Sequence, residues 1–518
     1  MINSKRLLLL MLLACIAIDA AWSASAMAAP GMDGPYEVKL GPKQGVVAIR
    51  VVTNRPAGLF FAKLGVLILK NLTTGKEIRI NDSASDYTSF SMFVAAVPEG
   101  TYELKQFDNW SAGLLLVTQD VMVGSAIGTF QVLERRVTDL GTLAYVRRSN
   151  PVNSSEYSLA VDETEKATSY SRSLLGPDVS EALDNGALGW QGSAGSRRHP
   201  VLTAEDLATE RGLINPTVDA SGVLRSGVAF GQILTRSADG QWRRDKVPTL
   251  EAVTATATLK DGTLIAAADE GLIFIRVPGS EWALKPLAPR AKPVFIGTED
   301  SGGIFVVAEV PDGVAVYHAT NQESPWQETR KFEVKNSPGA RGPHFGGATL
   351  TRGHLIVTTI SWGFSGRKHT MNSLSFATGE WIADSTGIYG PISSFPDGGF
   401  YSMAGPNISQ AMKVSMDGGR TWETRGSPNW AGQPIFRTYD VGYLIRTDHI
   451  PAVNPANLKR SLWKTIDGGR TWVPHSDLPN QSVRVVLLSG EGHLLLETND
   501  GRVLSSMDDG ETWTPEAL

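Results

Sequence analysis

Seven tryptophans recur through the C-terminal part of the chain, at Trp242, Trp282, Trp326, Trp381, Trp422, Trp472 and Trp513, with spacings of about 40 to 55 residues. A repeat of that length cannot bury a hydrophobic face by itself and must stack on its neighbours, so the period constrains the architecture more than any single residue does. Around each Trp the chain reads as four short apolar stretches separated by turns. The last unit shows this best, with stretches at 485–489, 494–497 and 502–505 before Thr512-Trp513-Thr514. The first begins near Leu213, with 223–228 and 232–236 ahead of Trp242. Four strands per unit at this period describe one blade of a propeller. Residues 212–518 hold seven such units, none split between the ends of the region. The expected fold is therefore all-β, with a seven-bladed β-propeller over 212–518.

Three of the units close with the same turn. Ser415-Met416-Asp417-Gly418-Gly419-Arg420-Thr421-Trp422 and Ser506-Met507-Asp508-Asp509-Gly510-Glu511-Thr512-Trp513 both read S-x-D-x-G-x-T-W, and Thr465-Ile466-Asp467-Gly468-Gly469-Arg470-Thr471-Trp472 differs only in its first hydroxyl. Blade one keeps a shortened form, Ser237-Ala238-Asp239-Gly240-Gln241-Trp242. The chemistry suits a turn between third and fourth strands. The Asp accepts backbone N–H groups, the Gly takes a backbone conformation closed to other residues, and the Trp buries a large ring between blades. These octapeptides resemble the Asp-box, or BNR repeat, of sialidases and their propeller relatives. The resemblance spans roughly three-fifths of the chain, and its diagnostic motif sits in the last third. It marks Ser415, Asp417, Gly419, Thr421, Trp422, Thr465, Asp467, Gly469, Thr471, Trp472, Ser506, Asp508, Gly510, Thr512 and Trp513 as architecture, because in such propellers this turn lies opposite the usual ligand face.

A sialidase needs three arginines gripping a carboxylate, a Tyr activated by a Glu, and an Asp as acid and base. The resemblance also implies Phe-Arg-Ile-Pro ahead of the first box. Here the nearest match, Ile435-Phe436-Arg437-Thr438, lacks the Ile-Pro and falls between the fifth and sixth blades. No catalytic residues can be assembled. Other Asp-box propellers include xyloglucan-degrading endoglucanases, sortilin ectodomains and photosystem II assembly factors, and the last two are binding proteins. A binding or assembly role is therefore expected, with a glycoside hydrolase acting on the same rim as the alternative.

Loops between second and third strands, and between blades, share one face of a propeller, and the long ones here belong to blades four and six. Lys335 to Gly347 carries Arg341 and His344. Ser361 to Asn372 carries Trp362, Phe364, Arg367, Lys368 and His369. Asp448 to Arg460 carries Asp448, His449, Asn454 and Lys459, while Trp430 and Arg437 stand where blade six begins. Cations and aromatics on long loops make a recognition surface for an anionic glycan or an acidic protein face. His344, His369 and His449 lack metal-site spacing, so no metal or other cofactor is expected.

Ahead of the repeats, bursts of alternating residues from Asp33 to Arg148 are spaced as in an antiparallel sandwich, giving a β-sandwich domain over 30–148. Within it, Val97-Pro98-Glu99-Gly100-Thr101-Tyr102-Glu103-Leu104 resembles the turn and strand of carboxypeptidase-regulatory-like modules. Residues 149–211 read as a partly helical connector, with a helix capped at Thr203 and ended by Gly212. The first 29 residues read as an export signal: Lys5 and Arg6, an apolar run over 7–18, then small residues allowing cleavage after Ala26, Ala28 or Ala29. That run is too short to span a bilayer. The single cysteine, Cys15, lies inside it, and Leu12-Leu13-Ala14-Cys15 loosely resembles a lipoprotein box, which makes lipid anchoring the alternative to cleavage. A periplasmic or extracellular location follows, and disulfides are excluded from a chain cut after the signal. With a formal charge of -5 there is no basic field to hold nucleic acid.

Overall fold

The computed structural model describes residues 38–53, 64–83, 90–109, 119–122, 127–149, 155–162, 167–168, 177–191 and 213–517, apart from 220, 289, 300, 338–342, 352, 364–365, 385–390, 405–410, 430, 448–458, 480–481 and 499–500. The expected signal segment with Cys15 and the expected helix from Thr203 lie outside these residues.

The β-branched run around Val46 to Val52 forms the strand Gln44–Thr53, and alternation sends Val47, Ile49 and Val51 to one face and Val46, Ala48, Arg50 and Val52 to the other. Both faces are buried. The strand sits inside a mixed sheet, antiparallel to Phe90–Pro98 and parallel to Val137–Ser149, which in turn pairs with Ala187–Leu188 and Ser155–Asp162. A second sheet runs Trp190–Gln191, Thr129–Val132, Gly100–Asn109, Leu64–Asn71, Glu77–Asn81, with Gln119–Met122 also paired to Gly100–Asn109. One core joins the two sheets, with Ile49, Phe93 and Leu143 meeting Leu67, Phe107 and Phe130. The Tyr102 hydroxyl donates to the Pro98 carbonyl at 2.9 Å and closes the corner at Glu99-Gly100.

Part of the expected connector, 155–162, 167–168 and 177–191, is woven into this first unit. Besides the strands at 155–162, 187–188 and 190–191, the Asp139 carboxylate accepts the backbone N–H of Ala167 at 3.0 Å and of Thr168 at 2.9 Å. Helix Pro177–Asp184 buries Val179 and Ala182 against the sheet containing Gln44–Thr53. Trp190 donates its indole N–H to the Leu140 carbonyl at 2.8 Å and meets Phe130 edge-on. Two-residue strands have no periodicity to read in a sequence.

From 214 to 515 the described strands form seven four-stranded antiparallel sheets in simple chain order, spanning 214–246, 253–284, 292–333, 345–384, 392–425, 435–478 and 482–515. We number them one to seven. A hydrophobic cluster fills every gap between consecutive sheets. Another joins the last to the first, through Leu213, Leu224 and Leu234 against Leu488, Leu495 and Val503. The succession closes on itself as a β-propeller. Among the described residues no strand is exchanged at the closure. Instead Glu497 accepts the Leu213 N–H at 2.8 Å, and Glu516 takes the Arg236 guanidinium at 2.8 Å and the Trp242 indole N–H at 2.5 Å.

The three repeated turns have matching geometry. In sheet six the Asp467 carboxylate accepts the Thr471 N–H at 2.9 Å and its hydroxyl at 2.6 Å, while the Thr465 hydroxyl donates to Asp467 and accepts the Gly469 N–H at 2.9 Å. The same contacts recur around Asp417 and Asp508. The tryptophans are half-buried, not enclosed: Trp472 packs against the cluster between sheets five and six, edge-on to Phe436, and remains partly exposed. Burial pushes Asp467 up, but the Thr471 hydroxyl and N–H and the Thr465 hydroxyl outweigh it and hold the carboxyl at about 2. Asp417 is held at about 2 in the same way, and for Asp508 the Thr512 contacts are themselves the largest influence. A depressed carboxyl stabilises the fold above its unfolded value and loses that contribution as pH falls through the folded one. Urea midpoints are therefore expected to drop between about pH 4 and pH 2, and Asp467→Asn should flatten that slope in proportion to its share.

In such meanders the second-to-third-strand turns and the connections between sheets lie at one end of the ring, which we call the rim. First-to-second and third-to-fourth turns, including the three above, lie at the base. The first unit sits on the rim over sheets one and two, where Phe230 and Leu250 pack with Val46, Val52 and Phe90.

Candidate functional site

Sheet four departs from the others at the rim. Its two central strands, His354–Gly363 and Gly366–Ser375, have ten residues each, whereas those of the other sheets have four to seven. Pairing continues through Ile360 with His369, Ser361 with Lys368, Trp362 with Arg367 and Gly363 with Gly366. The stretch 361–372, expected as a loop, is a strand hairpin that carries its pairing about 10 Å further than its neighbours. Its residues alternate faces like any strand, and Gly363 and Gly366 flank the tip.

The connection from sheet three straps this hairpin. Ser337 N–H donates to the Trp362 carbonyl at 2.8 Å, Trp362 N–H to the Asn336 side chain at 2.9 Å, and the Trp362 indole to the Pro343 carbonyl at 2.9 Å. Ile360 N–H donates to the His344 carbonyl at 2.7 Å. From sheet three the buried Glu309 carboxylate accepts the N–H groups of His344 and Phe345. Burial raises its affinity for a proton, against the Lys292 charge and those two N–H groups. The strap is thus fixed by hydrogen bonds that each have a main-chain group at one end or both, and it positions what stands on the hairpin.

Two rows of side chains result. Trp362 and Arg367 are cross-strand partners, and the guanidinium lies 4.4 Å from the indole ring centre with Arg367 and Lys368 exposed. One row inward, Ile360 is flanked by its strand partner His369 and by His344, which directly precedes the strand Phe345–Leu350, and both histidines are over nine-tenths buried. Neither Nδ1 has a hydrogen-bond partner among the described residues. An unmet buried polar atom costs about 1–3 kcal/mol, and these two lie on either side of Ile360 in the row below the exposed Arg367. Burial, and then the Arg367 charge, hold His369 below the usual imidazole range and keep it neutral at neutral pH.

Of the other expected site residues, Arg341, Trp430, Asp448 and His449, with Phe364 and Asn454, lie outside the described residues. Lys459 is exposed immediately before the strand Arg460–Thr465, at the rim end of sheet six. Arg437 does not belong to the rim. It follows the two-residue first strand Ile435–Phe436, so it stands in the first-to-second-strand turn at the base. There it donates to the carbonyls of Leu488, Gly490 and His493 and braces sheet six against sheet seven. A feature missed from the sequence stands near the rim of sheet six instead, where Arg446 lies 4.9 Å from the Trp463 ring centre. Its signal was the same alternation of cation and aromatic across a hairpin. Among the described residues no group of three His, Cys, Asp or Glu side chains is placed to hold a metal ion, and no helix is long and apolar enough to cross a membrane.

No protein-family profile matches the chain, and neither does any curated protein. Solved structures do resemble it at a distance. YCF48 from Cyanidioschyzon merolae aligns with a TM-score of 0.43 at 12% identity, covering 59% of this chain and 97% of that one. BamB from Moraxella catarrhalis gives 0.38 at 13% identity, with 57% and 83% covered. A polysaccharide lyase described as an ulvan lyase gives 0.42 at 12%, with 60% and 96% covered. Likenesses this remote carry nothing about what this chain binds or does.

Proposed function

We propose that the chain is an exported binding or assembly protein: a seven-bladed Asp-box propeller of sialidase-like type without the sialidase catalytic residues, bearing an N-terminal β-sandwich. It recognises an anionic protein or glycan partner on the rim around sheet four. The observation that carries this reading is the prolonged hairpin that presents Arg367 stacked on Trp362 above two buried histidines with unmet nitrogens. An Arg held flat on an indole is pre-organised, so less side-chain freedom is lost when it meets a carboxylate or sulfate.

The test is capture of partners from the envelope of the source organism by wild type and by the Trp362→Ala, Arg367→Ala double variant. Wild type is expected to capture its partner at low salt and to lose it at high salt, since screening shortens the reach of exposed cations. The double variant should fail at both. Equal capture by both proteins at both salts would remove the rim from consideration, and turnover of a fluorogenic glycoside by the purified chain would replace binding with hydrolysis.

A further inference from the structure

In the four-stranded sheets of this ring the fourth strand covers the outer edge of the third. In sheets one, three and six it does so from the first residue of the third strand, pairing Lys246 with Gln232, Glu333 with Gly313 and Leu478 with Arg460. In sheets two and seven single main-chain bonds extend the cover to the rim, from the Leu287 N–H to the Gly271 carbonyl and from the Glu516 N–H to the Val503 carbonyl. In sheet five only Ala411 precedes the pairing. Sheet four differs. Its fourth strand, Trp381–Asp384, first meets the third at Met371, so 366–370 have no strand along their outer edge among the described residues.

The two edges of the prolonged hairpin are therefore unequal. The edge at 360–363 is occupied by the strap, through Asn336, Ser337 and His344. The edge at 366–370 is roughly 15 Å of extended chain in which alternate residues turn their N–H and C=O groups away from the hairpin. Such an edge is a template for another strand. Arg367 stands on one face of it and Lys368 on the other, and both are exposed.

We propose that the 366–370 edge takes up an extended acidic segment of a partner protein as an added strand, with main-chain pairing holding the segment and Arg367 and Lys368 selecting Glu or Asp. The inference rests on the reading of this rim as a recognition surface and commits that surface to a peptide. With a cation on each face, an incoming strand meets one whichever of its faces carries the acids. A second copy of the chain does not suit the edge, because pairing would bring the cations of the two copies together. A glycan would meet the cations but has no row of alternating donors and acceptors to match the edge.

Amide exchange of the full chain tests this at low salt, with and without an N-acetylated, C-amidated peptide of alternating Glu and Val. In the free chain the outward-facing amides of 366–370 are expected to exchange quickly. At saturating peptide they should slow by about tenfold or more, while those of 232–236 in sheet one do not change. Oligogalacturonate of matched charge should leave 366–370 as they were. Charge reversal, Arg367→Glu with Lys368→Glu, should lose the acidic peptide and take the corresponding peptide of Lys and Val with the same slowing. Peptide binding without slowing at 366–370 would overturn strand addition, as would amides already slow in the free chain, equal slowing by the oligogalacturonate, or no binding of the peptide. Each of these outcomes leaves the broader reading of the rim to the envelope capture with the Trp362→Ala, Arg367→Ala variant. The wild-type exchange decides by itself if the charge-reversed variant does not fold.

Discussion

Arg50→Leu is expected to lower the stability of the folded chain by about 3–5 kcal/mol, the range for removing one partner of a buried ion pair. Leucine fills much of the space, so the loss is electrostatic: Glu251, at 1% exposure and ion-paired with Arg50, would be left without its guanidinium beside the apolar cluster of Val46, Val52 and Phe90. The Arg50→Leu, Glu251→Leu double variant should recover most of that loss, because two apolar side chains suit the cluster around Phe230 better than one orphaned charge. Equilibrium urea unfolding of wild type, both single variants and the double closes the cycle. A coupling energy near zero would show that the pair is not the junction's electrostatic anchor.

Gly469→Ala should cost about 2–4 kcal/mol, from two sources that a second substitution separates. Gly469 has φ +81°, which a Cβ disfavours, and that Cβ would stand 2.1 Å from the terminal methyl of Met412 on sheet five. The glycine thus lets the base turn of one sheet press onto the side chains of the sheet before it. Gly419 meets Met371, and Gly510 meets Leu462, in the same way. Gly279 has nearly the same backbone angle, +82°, with nothing within 4 Å of the added carbon. Gly279→Ala should therefore cost only the backbone part, about 1–2 kcal/mol. Thermal unfolding of the two variants side by side checks this, and equal losses would show that packing between sheets contributes nothing at the turn.

What could be read from the sequence was local or periodic. The turn around Asp467 is written in eight consecutive residues, and the Trp spacing repeats often enough to reveal stacked four-stranded units. Contacts between distant segments left almost no trace. Arg50 and Glu251 are about two hundred residues apart, and the only signal was a lone Arg in the apolar run 46–52. The sheet-four segment 361–372 looked like a loop because polar residues and two glycines interrupt it, yet Ser361, Trp362, Arg367 and Lys368 alternate as strand residues do. The position of Arg437 is hard to read for a related reason. Which end of a ring a turn occupies depends on counting strands, and Ile435–Phe436 is too short to be counted from sequence.

The closure between the first and last sheets bears on the order in which the molecule is made. In a ring where a terminal strand completes the opposite sheet, main-chain pairing fastens the seam. Here Leu213 waits for Glu497, and Arg236 and Trp242 wait for Glu516, partners 274 to 284 residues away. Synthesis from the N-terminus can therefore finish each sheet on the one before it, a succession of short-range steps, while the apolar flank around Leu224 and Leu234 stays uncovered until the final sheet emerges. That flank is the part of the nascent chain with the longest exposure and the greatest need of protection from self-association. Loss of the last sheet by truncation would leave it permanently open.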